Sequence, residues 1–200
     1  MKWSNSDSAE QLIQFRAKSK RGQNRRFCIT LFTMLQNCPF RAVVVLKEDG
    51  VGAKCYGYVE FCQSYQSYEP VFMQLNIYGL SPGLHGMHVH EKGDLRQGCN
   101  STGGHFNPFN VIPSPGDLGN IVADGSGRAV YQLDDRLISL HGDLSIVGRA
   151  LVIHEKEDDL GLGGNLESLK TGNAGRRVAC GIIVALQYLY HVINCYLLPT

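Results

Sequence analysis

The sequence predicts an all-β domain, an antiparallel sandwich or barrel, and three observations carry that prediction. Glycine makes up 23 of the 200 residues, well above its usual share of roughly 7%. Short apolar or alternating runs recur between turn signals from residue 41 onward. No stretch among them has the length and period of a good helix. The length suits one domain with a proper core, and 18% charged residues is too few for wholesale disorder.

The strands follow in order. Ala42–Lys47 is an apolar run closed by Glu48-Asp49-Gly50, a turn signal. Tyr56–Phe61 alternates moderately. Val71–Tyr78 alternates with a period of two, as a half-buried strand does. Gly79–Gly86 reads as a loop, and Met87–His90 as the next strand. Asn120–Ala123, Ala129–Leu133, Ala150–His154 and Gly181–Leu186 complete the set. Two long loops, Glu91–Gly119 and Glu155–Gly175, separate them, and loops of that length inside a compact domain are usually functional.

The two ends differ from this middle. Seven basic against two acidic residues give residues 1–40 a charge of +5, whereas 41–200 carry twelve basic and sixteen acidic residues, or −4. We therefore read 1–40 as a basic, flexible extension, 41–187 as the domain and 188–200 as an apolar tail. The near-zero total charge of +1 argues against nucleic-acid binding by the protein as a whole. The apolar stretch Ile182–Leu198 is interrupted by Gln187, His191 and Asn194, which makes it too short and too polar to span a membrane.

Histidine placement is the first chemical signal. His88 and His90 lie two apart on one strand, so both face the same way about 6.6–6.8 Å apart. His105 sits in Gly103-Gly104-His105-Phe106-Asn107-Pro108, where glycine allows close backbone approach. His154 ends a strand whose Leu151 and Ile153 face the other way. Four imidazoles at strand ends beside long loops suit copper, for which a set of nitrogen donors is diagnostic.

Longer motifs point the same way. Gly83-Leu-His-Gly-Met-His-Val-His-Glu-Lys-Gly-Asp94 and Gly98-Cys-Asn-Ser-Thr-Gly-Gly-His-Phe-Asn-Pro108 closely resemble the metal region of copper/zinc superoxide dismutases. So do Gly116-Asp-Leu-Gly-Asn120, Val147-Gly-Arg-Ala-Leu-Val-Ile-His-Glu-Lys-Glu-Asp-Asp-Leu-Gly161 and Lys170-Thr-Gly-Asn-Ala-Gly-Arg-Arg-Val-Ala-Cys-Gly181. The resemblance runs from Ala42 to Gln187, with its motifs in the family's order.

The resemblance implies an eight-stranded Greek-key β-barrel, related to immunoglobulin-like sandwiches, with two long functional loops. It implies copper held by His88, His90, His105 and His154, with His105 shared with zinc, and a disulfide between Cys99 and Cys180. Arg177 matches the guanidinium that attracts superoxide beside copper. Asp158 matches the carboxylate that links the metal sites from behind their ligands. Glu167 and Lys170 fall in the charged guiding loop, and Thr171 matches a residue narrowing the channel. Superoxide as substrate, a homodimer and copper delivery by a chaperone are the partners the family implies.

Departures from the family are equally informative. Between Pro108 and Gly116 the chain has only Phe109-Asn-Val-Ile-Pro-Ser-Pro115. The family's longer loop here supplies two further zinc histidines, which this chain lacks. His105 and Asp117 alone remain for zinc, too few for a closed tetrahedral site. Leu166 also stands where the family has one of two adjacent acids. The expectation is copper-dependent dismutation of superoxide to oxygen and hydrogen peroxide, with zinc binding weak or lost. The alternative is a non-catalytic copper-binding or structural relative. After Cys99 and Cys180, five of the seven cysteines remain, and many free thiols suit a reducing compartment, here the cytoplasm.

Overall fold

The computed structural model describes residues 38–186 apart from 51, 67–68 and 112–113. The extension before residue 38 and the tail from 187 lie outside the described residues. The described residues form eleven strands: β1 (Phe40–Glu48), β2 (Tyr56–Gln63), β3 (Val71–Tyr78), β4 (Gly83–His90), β5 (Arg96–Cys99), β6 (Asp117–Ala123), β7 (Arg128–Ala129), β8 (Gln132–Asp135), β9 (Ala150–His154), β10 (Arg177–Ile182) and β11 (Val184–Ala185). A continuous antiparallel path runs β6-β4-β9-β10-β1-β2-β3-β7, with β8 on β3 and β11 on β1. Its two ends meet through a tight turn, where Asp124 N–H donates to Arg128 O at 2.9 Å. The result is a nearly closed barrel.

The period-two pattern explains the filling. In β3 Val71, Met73, Leu75 and Ile77 are buried while Phe72 and the alternate positions face outward. Val44 and Leu46 of β1, Val59 and Phe61 of β2, and Met87 and Val89 of β4 meet them in one core. Each such side chain contributes about 1.5–3 kcal/mol on burial. At Gly181 an added Cβ would lie 2.1 Å from Val45 O, so only glycine lets β10 pack against β1 here.

The structure corrects four expectations. β4 begins at Gly83, because Gly83–Gly86 pair with Ala123–Asn120 of β6; two glycines had disguised a strand as a loop. The last strand is two, Arg177–Ile182 and Val184–Ala185, divided at Ile183. The second long loop contains a helix, α1 (Leu166–Thr171), capped by Asn165, whose side chain accepts from Ser168 N–H. At six residues it is too short to show a period. Finally, Cys38 is joined to Cys62, so of the described cysteines only Cys55 is free, and it is buried. Burial pushes its thiol pKa up to about 12, leaving it inert as a nucleophile.

Candidate metal centre

The site grows out of β4 and the two long loops. β4 lies between β6 and β9, so Met87 and Val89 enter the core while His88 and His90 turn to the opposite side, both with no exposed surface. His154 ends β9 beside them and is also buried. His105 is brought over by an isolated bridge with His90 and by the Phe106 N–H to Val89 O bond of 2.8 Å. The ligand-type atoms of His88, His90, His105 and His154 all lie within 4.8 Å of one another.

Each ring has one nitrogen already committed. His90 Nδ1 donates to Gly103 O at 2.9 Å, and His154 Nδ1 to Gly175 O at 3.1 Å. His88 Nε2 meets Asp158 Oδ2 at 2.6 Å, and His105 Nδ1 meets Asp117 Oδ1 at 2.7 Å. The remaining nitrogens of the first three, His88 Nδ1, His90 Nε2 and His154 Nε2, are buried without a hydrogen-bond partner. Buried polar atoms are rarely left unpaired. Three orphaned imidazole nitrogens converging beside a fourth ring are what a nitrogen-ligated metal requires, and copper fits this donor set.

Electrostatics keep the donors ready. Burial pushes the pKa of His90 down to about 2 and that of His154 to about 3. It also lowers that of His88, against the pull of Asp158. These rings are therefore neutral, with lone pairs available, throughout the physiological range. Burial works against ionisation of Asp158, but the hydrogen bonds from His88 and Leu160 N–H outweigh it and hold the carboxyl below its ordinary pKa. Asn120 clamps the Asp158 backbone on both sides, its Nδ2 donating to Asp158 O and its Oδ1 accepting from Asp158 N–H, each at 2.8 Å.

Arg177 opens β10 opposite His154. Its Nη1 donates to Cys99 O at 2.7 Å and to Thr102 Oγ1 at 3.0 Å, and its Nη2 to Gly103 O at 2.8 Å. The Cys99–Cys180 disulfide ties that turn to β10. Burial lowers the guanidinium pKa, and Asp49 opposes the shift; the group stays cationic at neutral pH. Gly103 O thus accepts from both His90 and Arg177, a link that sequence reading missed along with Thr102 and Asn120. The family motif names the side chains at these positions but not which carbonyl serves two of them.

Among the described residues the four histidines are the one group of His, Cys, Asp and Glu that could hold an ion. Asp117 contributes only its bond to His105. Glu167, Lys170 and Thr171 all belong to α1; Thr171 Oγ1 donates to Glu167 Oε1 at 2.9 Å, and Lys170 is exposed. None of the three is hydrogen-bonded to the histidine cluster.

The profile of the copper/zinc superoxide dismutases matches residues 55–183, the whole of this centre included. The chain belongs to the copper/zinc superoxide dismutase family. It is 50% identical to superoxide dismutase [Cu-Zn] 4 of Dictyostelium discoideum over 73% of this chain and 99% of that protein. It is 44% identical to superoxide dismutase [Cu-Zn] of Paramecium bursaria Chlorella virus 1, over 78% and 88% respectively. An extracellular superoxide dismutase [Cu-Zn] of Drosophila melanogaster matches at 42% identity, over 78% and 92%. Against this superoxide dismutase background the described residues bring one candidate metal cluster together, the four histidines.

Proposed function

We propose that the protein dismutates superoxide to oxygen and hydrogen peroxide at one copper ion held by His88, His90, His105 and His154, with zinc weak or absent. The observation that carries this reading is the convergence of the three orphaned ring nitrogens on the fourth histidine, beside Arg177. Copper, when bound, supplies the one-electron change that alternately oxidises and reduces superoxide. The chain's own residues do the rest. Gly103 O, Gly175 O and Asp158 fix the ring orientations and thereby which nitrogen faces the ion. Arg177, held in place by three acceptors, puts a fixed positive charge where an anion docks, which raises capture and positions it.

The test is superoxide consumption by the copper-loaded full chain, with His154→Ala as control. Consumption lost in the control supports the reading. Copper bound without turnover would assign the protein to the non-catalytic copper-binding class.

The same reading extends to assembly and chain organisation. A homodimer would use the face around Gly93, where a Cβ would lie 2.0 Å from Gly148 O, and where Ile182 and Val184 are exposed. A shift to monomer in Val184→Lys, read by sedimentation, tests this. Copper delivery by a chaperone is part of the same proposal and rests on the family resemblance alone. The segments before Cys38 and after Gln187 are read as appendages to the domain, Cys38 and Phe40 being held in it by the Cys38–Cys62 bond and β1. The cytoplasmic reading rests on the number of free thiols, which the Cys38–Cys62 bond reduces; the relatives include an extracellular superoxide dismutase.

A further inference from the structure

We propose that Asp117 does for His105 what a second metal ion would otherwise do: it takes the Nδ1 proton in a hydrogen bond, fixes the tautomer, and makes His105 a terminal ligand of a mononuclear copper centre. The inference rests on the copper reading above and deepens it.

The geometry is direct. Asp117 Oδ1 lies 2.7 Å from His105 Nδ1. An ionised carboxylate can only accept, so the proton sits on Nδ1 and the Nε2 lone pair is left for the ion. A carboxylate partner of this kind orients a ligating imidazole and raises its basicity. The centre already uses the device once, in the couple between His88 Nε2 and Asp158 Oδ2.

The short loop brings the pair together. Asn107 closes it on itself, donating from Nδ2 to Val111 O at 2.8 Å and accepting from Val111 N–H at 3.0 Å. Gly116 then threads where a Cβ would lie 2.5 Å from Val89 O, and its N–H donates to Phe106 O at 2.9 Å. β6 therefore starts at Asp117, in register with His88 and across from His105. Among the described residues no further group of His, Cys, Asp and Glu gathers to build a tetrahedral site around this carboxylate. His85, the other buried histidine of β4, has one ring nitrogen at 2.8 Å from His154 O and the other at 2.8 Å from Ser81 O. His141 lies in contact with Phe40, ring centroids 4.3 Å apart.

The experiment separates this inference from the reading beneath it. Cobalt(II) is titrated into the copper-loaded full chain and followed by visible absorption and by the copper EPR signal. We expect neither tetrahedral cobalt bands nor loss of the copper signal by coupling; stoichiometric cobalt binding would overturn the single-metal reading itself. Asp117→Asn and Asp117→Glu are then compared by copper EPR and copper affinity. Asp117→Asn should alter the hyperfine splitting and lower the affinity by about 10–100-fold, and Asp117→Glu should restore much of both. Wild-type EPR and affinity in Asp117→Asn would overturn the role of Asp117 while leaving the copper reading intact. Proton–nitrogen NMR of the wild-type chain loaded with copper(I) needs no variant to fold. It should show a hydrogen-bonded proton on His105 Nδ1, and a ring without that proton would equally overturn the inference.

Discussion

The two carboxylate–imidazole couples that flank the centre are nearly equal in length and unequal in surroundings. His88 and Asp158 meet at 2.6 Å with side-chain exposures of 0% and 4%, whereas His105 and Asp117 meet at 2.7 Å with 11% and 31%. The first is sealed, with its aspartate held in a backbone clamp by Asn120. The second stands at the edge left by a shortened loop. Identical chemistry thus serves a structural end on one side and, in our account, a ligand-setting end on the other. Burial decides how much each weighs in stability.

The strongest way to sharpen that contrast is pH. On the sealed side His90 and His154 titrate at about 2 and about 3 in the fold, against 6.5 for an ordinary histidine. Below pH 6.5 the unfolded chain takes up protons that these folded rings refuse, so stability falls as pH falls. The loss is about 1.4 kcal/mol per pH unit for each ring, continuing toward pH 3. Urea unfolding of the metal-free protein at pH 7, 6 and 5 should show this slope. An unchanged midpoint would mean the rings are not sealed.

Truncation of the carboxylates compares the couples directly. Asp158→Ala removes a partner from a buried pair and should destabilise the metal-free protein by about 3 kcal/mol. Asp117→Ala, at a wetter site, should cost about 1 kcal/mol or less. Equal losses in thermal unfolding would erase the distinction drawn here.

A smaller effect concerns the anion side. Arg177→Ala leaves both couples intact and should lower kcat/KM for superoxide by about tenfold or more, through lost capture. The smallest effect lies farthest out. Leu166 is 75% exposed on α1, and Leu166→Glu should change kcat/KM by less than about threefold at 0.15 M salt, because a charge on that face is screened. A tenfold change would place α1 closer to the anion's path than the present account does.

Much of this centre was legible because its residues sit in unbroken motifs. His88, His90, His105, His154, Asp117, Asp158 and Arg177 could each be placed from neighbours in the chain, and Cys99 with Cys180 followed from the same resemblance. Cys38–Cys62 was not legible, because the bond depends on the pairing of β1 with β2, where Arg41 faces Cys62. The meeting of His90 and Arg177 at Gly103 O depends on a backbone turn, and a turn leaves no side-chain signature. Helix α1 escaped because six residues show no period, and the start of β4 because glycine carries no alternation to read. What periodicity and motif reveal is local, and what they missed arose from contacts between distant parts of the chain.

In our proposal copper alone, without zinc, makes this chain a superoxide dismutase. The most direct test loads the full chain with copper in zinc-free buffer and follows superoxide decay after pulse radiolysis, before and after zinc is added, with metal analysis of the recovered protein. The account predicts fast decay with about one copper per chain, no change on adding zinc, and almost no zinc retained, as expected where too few ligands remain for a closed site. Decay that appears only after zinc is added and retained would contradict it.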